Sequence, residues 1–297
     1  MTSFRSGLLG FGLGVVTCVF VGFSRVIPLP MLARVSTTIQ SAYIDRDLDL
    51  RALEVGAIRG YLGVLNDPHT RWIDPETLQK MRHHLKGESA SSVTFDPVDH
   101  VTVIGRVGYL RITSFESLTL ATDVRNAVRL LIQQGVAGLI IDLRGNGGGL
   151  YSSGVKVANL FLSDVPVVHT VDRLGKSRTE RAPENPEFGS IPLVVLVNEA
   201  SASSSEIFAG AIQDNHRGKI VGHSTYGKAT MQKVLPLQDG SAVLYTTARY
   251  FTPLGHDISK KGIAVDVVLP KADAVGTGNV GLDPQVQAAK RLLEAGG

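Results

Sequence analysis

The sequence predicts an α/β protein, with a core of alternating strands and helices preceded by a mostly helical N-terminal region. Three observations carry that class. From Val101 onward, short apolar runs alternate with stretches of helical period, the pattern of strand–helix–strand units. Residues 137–142 form a nearly continuous apolar run, as expected of a strand covered on both faces. Between residues 30 and 86, apolar positions such as Ile39, Tyr43, Leu50, Leu53, Ile58 and Leu62 give a broken helical face instead.

The predicted elements follow in order. The N-terminal helical pattern ends at Asn66-Asp67-Pro68, because proline cannot continue a helix. A short polar helix is expected at 75–85, then a small, polar linker at 87–92. Strands are expected at 101–104 and 107–112, a helix at 118–134, and the apolar strand at 137–142. A glycine loop leads into a helix at 152–162. Strands follow at 167–170 and 193–197, then a helix at 203–213 and a strand at 219–222. Residues 234–237 and 241–250 read as a hairpin around Gln238-Asp239-Gly240. A strand at 265–269 and a helix at 284–293 complete the pattern.

Composition narrows the function classes. The 297 residues are 43% hydrophobic and 19% charged, which excludes a disordered chain. Thirty basic residues face 27 acidic ones, well mixed, for a net charge of +3. With 6% aromatics and no basic stripe, a nucleic-acid partner is excluded. The single cysteine, Cys18, allows no intrachain disulfide and no cysteine-based metal site. The eight histidines show no HExxH or other metal spacing, so neither a metal nor a cofactor is expected.

Residues 7–23 carry no charge and lie between Arg5 and Arg25. At the helical rise their span is roughly 26 Å, a bare bilayer crossing. Residues 1–29 therefore read as a signal peptide or signal anchor, the chain's route to a membrane. The rest is expected to work outside the cytoplasm, tethered or released.

Three segments can carry chemistry. Ala200-Ser201-Ala202-Ser203-Ser204-Ser205-Glu206 places serines where a strand gives way to a helix. A serine there can be a nucleophile beside an anion-stabilising helix end, or an ordinary N-cap with Glu206 closing a capping box. Thr225-Tyr226-Gly227-Lys228-Ala229-Thr230-Met231-Gln232 places a lysine between small residues ahead of an apolar strand. Buried, such a lysine loses its proton more readily and can act as a base; exposed, it is a surface charge. Asp142-Leu143-Arg144-Gly145-Asn146-Gly147-Gly148-Gly149 follows the apolar strand. Leu150 breaks the G-x-G-x-x-G fingerprint, so backbone N–H groups offered to an oxyanion, with Asp142 and Arg144 bracing the turn, are the better reading.

Together these segments resemble the carboxyl-terminal processing peptidases, or tail-specific proteases, which use a Ser-Lys dyad. The family's D-L-R-x-N-x-G-G, S-A-S-A-S-E-I and T-[FY]-G-K-G-x-x-Q motifs are matched in order, with Ser204 and Ala229 replacing an alanine and a glycine. Gly108-Tyr109-Leu110, Arg249-Tyr250-Phe251-Thr252-Pro253-Leu254-Gly255 and Leu65-Asn66-Asp67-Pro68-His69-Thr70 resemble further family segments. The resemblance implies a ClpP/crotonase-like protease core over 92–297, after a helical region and linker over 30–91. It implies Ser203 as nucleophile, Lys228 as general base and Gln232 as the residue orienting Lys228. It implies an oxyanion hole from the Ser204 N–H and an N–H of Gly148 or Gly149.

The resemblance has one gap. Family members normally carry a PDZ domain before the G-Y-[IL] strand, yet only residues 71–106 lie there, short of the roughly 80–100 a PDZ fold needs. The chain is thus expected to be a PDZ-less serine endopeptidase acting on unstructured protein or peptide substrates. It would process or degrade exported proteins, with substrates delivered by an adaptor or selected by the groove alone. The rival expectations are a non-catalytic peptide-binding or scaffold module, and an esterase using a histidine in place of Lys228.

Overall fold

The computed structural model describes residues 29–86, 97–271 and 279–295. The expected export segment with Cys18 and the linker at 87–92 lie outside the described residues. Among the described residues, no helix is long and apolar enough to cross a membrane. The chain divides into two compact units, Met1–Leu53 and Glu54–Gly297.

The described part of the first unit holds α1 (Pro30–Ala42) and the start of α2 (Leu50–Gly63). Pro30 opens α1 where its missing N–H costs nothing. The second unit continues with β1 (Arg71–Ile73), α3 (Pro75–Lys86), β2 (Val98–Ile104), β3 (Val107–Ile112), α4 (Leu120–Gln133), β4 (Gly138–Asp142) and α5 (Tyr151–Ala158). Next come β5 (Pro166–Asp172), β6 (Ser177–Arg181), β7 (Leu193–Val197), α6 (Ser204–Asp214), β8 (Lys219–Gly222), β9 (Thr230–Pro236) and β10 (Ala242–Phe251). The short β11 (Val267–Val268), a single 3-10 turn and α7 (Pro284–Ala295) complete it.

The strands form two sheets. One has six strands in the order β11-β8-β7-β4-β3-β2. Every pairing in it is parallel except the β2–β3 hairpin. Its two faces are both covered, which explains the unbroken apolar runs of β4 and β7. Leu139, Ile141, Val195 and Val197 pack with α4, α5 and α6 on one side. Tyr109, Ile140, Val194 and Leu196 pack with Val286, Ala289 and Leu293 of α7 on the other. The second sheet is antiparallel and built around β10, which pairs with β9 and with both β1 and β5; β6 extends it from β5.

The expected α/β core is present, with informative differences. β1 and β6 had no sequence signal: β1 has only three residues, and β6 is polar throughout and mostly exposed. Pairing to a neighbour makes each of them a strand, not its own pattern. β9 begins at Thr230 rather than 234, because its ladder with β10 continues past an irregularity between Thr246 and Ala248. α5 stops at Ala158, short of 162, and β11 keeps two of its five expected residues.

Candidate active site

β4, β7 and β8 are neighbours in register and parallel, so their carboxyl ends emerge at one edge of the sheet. The glycine loop, the serine turn and the lysine loop follow these three strands and meet there. Hydrogen bonds stitch the loops together. Ser201 Oγ donates to Leu143 O at 2.8 Å, and Ala202 N–H and Ser205 Oγ–H both donate to Asn146 O at 2.9 Å. Tyr226 N–H reaches Ser201 O at 2.9 Å.

Ser203 caps α6 with φ 57° and ψ −114°. An ordinary serine N-cap lies in the β region, so this backbone is strained, a condition that concentrates at functional sites. The glycine loop explains how the turn is accommodated. A Cβ on Gly148 would lie 2.7 Å from Ser203 Cβ and 2.6 Å from Ala202 O. A Cβ on Gly149 would lie 2.3 Å from the carbonyl carbon of Phe115. Only glycine lets the loop lie this close, and both residues have positive φ. The Gly148 N–H donates to Asn146 Oδ1 at 2.8 Å. Among the described residues, the N–H groups of Gly149 and Ser204 have no acceptor. Ser204 Oγ donates to Gly149 O at 3.1 Å, which ties the two together.

Lys228 is half-buried, and Glu206 holds its loop. The Glu206 carboxylate, itself buried, accepts from Ser203 N–H at 2.7 Å and Lys228 N–H at 2.9 Å. It also accepts from Thr225 Oγ1–H and Gly227 N–H, both at 2.6 Å. The Tyr250 hydroxyl lies within hydrogen-bond reach of both the Lys228 and Ser203 carbonyl oxygens and shares its one proton between them. Burial pushes the Lys228 ammonium below the usual lysine range, and the Arg71 charge adds to this; Glu206 and Asp67 oppose it.

Ser203, Lys228, Gln232, Gly148 and Gly149 all line one cleft of about 700 Å³. Gln232 makes its hydrogen bonds to Thr230 Oγ1 at 2.8 Å and Thr246 Oγ1 at 3.3 Å. None links it to Lys228 among the described residues. His216 follows the far end of α6, and His223 does not line the cleft, whereas His69 does. Among the described residues, no cluster of three or more His, Cys, Asp or Glu is placed to hold a metal ion.

A buried ion pair anchors the root of the glycine loop. The Arg144 guanidinium binds Asp142 at 2.6 Å and Asp283 at 2.9 Å, and donates to Gln285 Oε1 at 2.7 Å. Tyr109 OH adds a 2.7 Å hydrogen bond to Asp142. The expected bracing of the turn by Asp142 and Arg144 is present, and it extends to the start of α7.

The sequence profile of peptidase family S41 matches residues 106–269, more than half of the chain and all three loops. The chain belongs to peptidase family S41. It is 43% identical over 190 residues to a carboxyl-terminal-processing protease of Picosynechococcus sp., covering 63% of this chain and 45% of that one. It is 45% identical over 190 residues to the chloroplastic carboxyl-terminal-processing peptidase 3 of Arabidopsis thaliana, covering 63% and 36%. Against the solved structure of a photosystem II D1 C-terminal processing protease, the TM-score is 0.61 at 26% identity, covering 81% of this chain and 92% of that one. The chain thus spans less than half the length of the curated S41 relatives it matches.

Three features of this S41 site escaped sequence reading. Glu206 was legible only as a capping-box residue, and its reach to the lysine loop is a long-range contact. His69 sat in a family-like segment with no indication that it enters the cleft. Arg71 had no signal at all: it is carried there by β1, whose pairing with β10 no pattern announces.

Proposed function

We propose that this S41 chain is a serine endopeptidase in which Ser203 is the nucleophile and Lys228 the general base. The observation that carries the reading is the strained Ser203 on the same cleft as a half-buried Lys228 whose charge is disfavoured. Neutral Lys228 Nζ takes the Ser203 Oγ proton as Oγ bonds to the scissile carbonyl carbon. The oxyanion that forms is met by the N–H groups of Ser204 and Gly149, both without another acceptor; Gly148 is set aside because its N–H serves Asn146. On collapse the C–N bond breaks and the departing amine takes the proton from Lys228. Water then attacks the acyl-serine, Lys228 accepts its proton, and Ser203 recovers a proton as the acid product leaves. Gln232 lines the same cleft, with its amide nitrogen held by Thr230 and Thr246, and its role in this reading is to orient Lys228 once substrate is bound.

The substrates in this reading are unstructured protein or peptide segments, since the cleft must take an extended backbone. The uncharged run at residues 7–23 supports a site of action outside the cytoplasm, with the chain anchored or released. The described residues between Arg71 and Arg106 form β1, α3 and β2. In this reading substrate is selected by the cleft itself or by an adaptor.

The test is cleavage of an unstructured protein by Ser203→Ala, Lys228→Ala and the double variant. Each single change should reduce kcat to about a thousandth or less, and the double should be little worse, because the two residues act as a unit. Undiminished cleavage by both single variants would sink the dyad. One observation favours a second reading: His69 shares the cleft, and burial, with the charges of Lys228 and Arg71, lowers its imidazole pKa against the opposing charge of Asp67. If Lys228→Ala stays active and His69→Ala does not, histidine is the base.

A further inference from the structure

Asp67 has no part in the chemistry above, yet it lies two hydrogen bonds from Gln232, with Thr246 between them. It sits in the turn between α2 and β1, where Thr70 N–H closes back on Asp67 O at 3.1 Å. Its carboxylate takes three hydrogen bonds. Oδ1 accepts from His69 N–H at 3.0 Å, and Oδ2 accepts from Thr70 Oγ1–H at 2.7 Å and Thr246 Oγ1–H at 2.6 Å. Burial pushes the carboxyl upward, but the bonds from Thr246, Thr70 and His69 outweigh it and hold the group below the usual carboxylate range. An ionised carboxylate can only accept.

The sheet puts Thr246 between this turn and Gln232. β10 pairs with β1 on one side, Leu244 opposite Arg71, and with β9 on the other, where Thr246 is the direct partner of Gln232. Directly paired residues of antiparallel strands share a face, and Thr230, two residues before Gln232, shares it too. Thr246 N–H donates to Thr70 Oγ1 at 3.1 Å, which leaves the Thr70 hydroxyl proton for Asp67.

A count of protons then fixes the amide. The one hydroxyl proton of Thr246 goes to Asp67, so toward Gln232 this oxygen offers only lone pairs. Gln232 meets it with its amide nitrogen at 3.3 Å, and the same nitrogen donates to Thr230 Oγ1 at 2.8 Å. Both amide hydrogens are thereby engaged, and the group that remains is the carbonyl oxygen. Lys228 lines the same cleft as Gln232, and a lysine ammonium donates without accepting. Turned over, the amide would set its oxygen against the lone pairs of Thr246 and leave Lys228 a donor it cannot use.

Resting on the mechanism above, we propose that Asp67 and Thr246 are positioning residues: the carboxylate orients the Thr246 hydroxyl, and the hydroxyl holds the Gln232 amide in the one orientation that presents an acceptor to Lys228. Neither residue is among those that line the cleft, so both act through Gln232. The turn after α2 thereby becomes part of the machinery that sets the base.

The test is steady-state cleavage of an unstructured protein by Thr246→Val, Thr246→Ser and Asp67→Asn, each made alone and in a Gln232→Ala background. Rates are compared on the alkaline plateau, where Lys228 is neutral in every variant and the effect of the Asp67 charge on it drops out. Thr246→Val keeps the side-chain shape and removes the hydroxyl. It should lower kcat about tenfold with KM little changed, the size of one lost hydrogen bond, and Asp67→Asn should do the same. Thr246→Ser restores the hydroxyl and should stay within about twofold of wild type. With Gln232 already Ala, Thr246→Val and Asp67→Asn should add no further loss, since coupled residues are not additive. A merely structural role would lower Tm and reduce kcat by the same factor in both backgrounds, and that result would overturn the proposal. A normal kcat in Thr246→Val or Asp67→Asn, beside an inactive Lys228→Ala, defeats this relay alone. Wild type without cleavage, or Lys228→Ala as active as wild type, defeats the Ser-Lys mechanism and the relay with it.

Discussion

Ser203 and Lys228 donate their backbone N–H groups to the same oxygen, Oε2 of Glu206, at 2.7 and 2.9 Å. The other oxygen takes Thr225 and Gly227. One buried carboxylate thereby sets the distance between two loops that follow different strands. Charge-assisted bonds of this kind are stronger than neutral ones and fix geometry as well as energy.

Glu206→Gln tests that relationship. All four partners are donors, so an amide NH₂ at one position meets donors in place of an acceptor. We expect a stability loss of about 1–3 kcal/mol by denaturant unfolding. kcat should fall at least tenfold with KM little changed, because the loss lies in the alignment of Ser203 with Lys228. A normal kcat would show that the loops hold their spacing without the carboxylate.

Arg71 makes a pH prediction. Its positive charge disfavours the charged form of Lys228 and so adds to the lowering by burial. In the proposed mechanism Lys228 must be neutral to act, so activity should rise with pH through its lowered pKa. Removing the Arg71 charge raises that pKa. In Arg71→Gln, the rising limb of kcat/KM should move to higher pH, with activity lost near neutrality and recovered in alkali. An unmoved limb would mean that Arg71 does not tune the base.

Gly149→Ala should damage the fold and the site together. The added methyl would lie 2.3 Å from the carbonyl carbon of Phe115, and φ of 152° is foreign to alanine. Backbone strain alone costs about 1–3 kcal/mol. Displacement of the loop would also move the Gly149 N–H from the cleft. Thermal unfolding should show a lower Tm, and the activity of the folded fraction should drop.

Arg144→Ala removes the cation that three groups share. Asp142 is completely buried, and its carboxylate would keep only Tyr109 OH and the Arg144-position backbone N–H as donors. Breaking one side of a buried pair costs about 3–5 kcal/mol. Urea unfolding checks this, and a change below 1 kcal/mol would mean that Asp142 is satisfied in another way.

Much of the fold was readable from local pattern. The apolar run of β4 named a strand covered on both faces, and the amphipathic α4 buries Leu120, Val124, Val128 and Leu131 as its period requires. The site was partly readable because Ser203, Lys228 and the glycines each follow a strand with its own signature. Polar β6 and three-residue β1 carried no period to read. Their identity as strands is a property of β5 and β10, which supply the hydrogen-bond partners.

By itself, then, the sequence determined the strand–helix alternation, the three loops and the residue types that can do chemistry. These are local: propensity, period and turn chemistry act over a few neighbouring residues. Only the tertiary structure decided that three parallel strands end side by side, that Arg71 of β1 and the preceding His69 share a cleft with Lys228, and that Glu206 joins the serine turn to the lysine loop. It also decided which glycine N–H is spent on Asn146 and which has no acceptor among the described residues. Those outcomes depend on contacts between residues far apart in the chain, and a donor's partner or a lysine's burial exists only once the packing around it is complete.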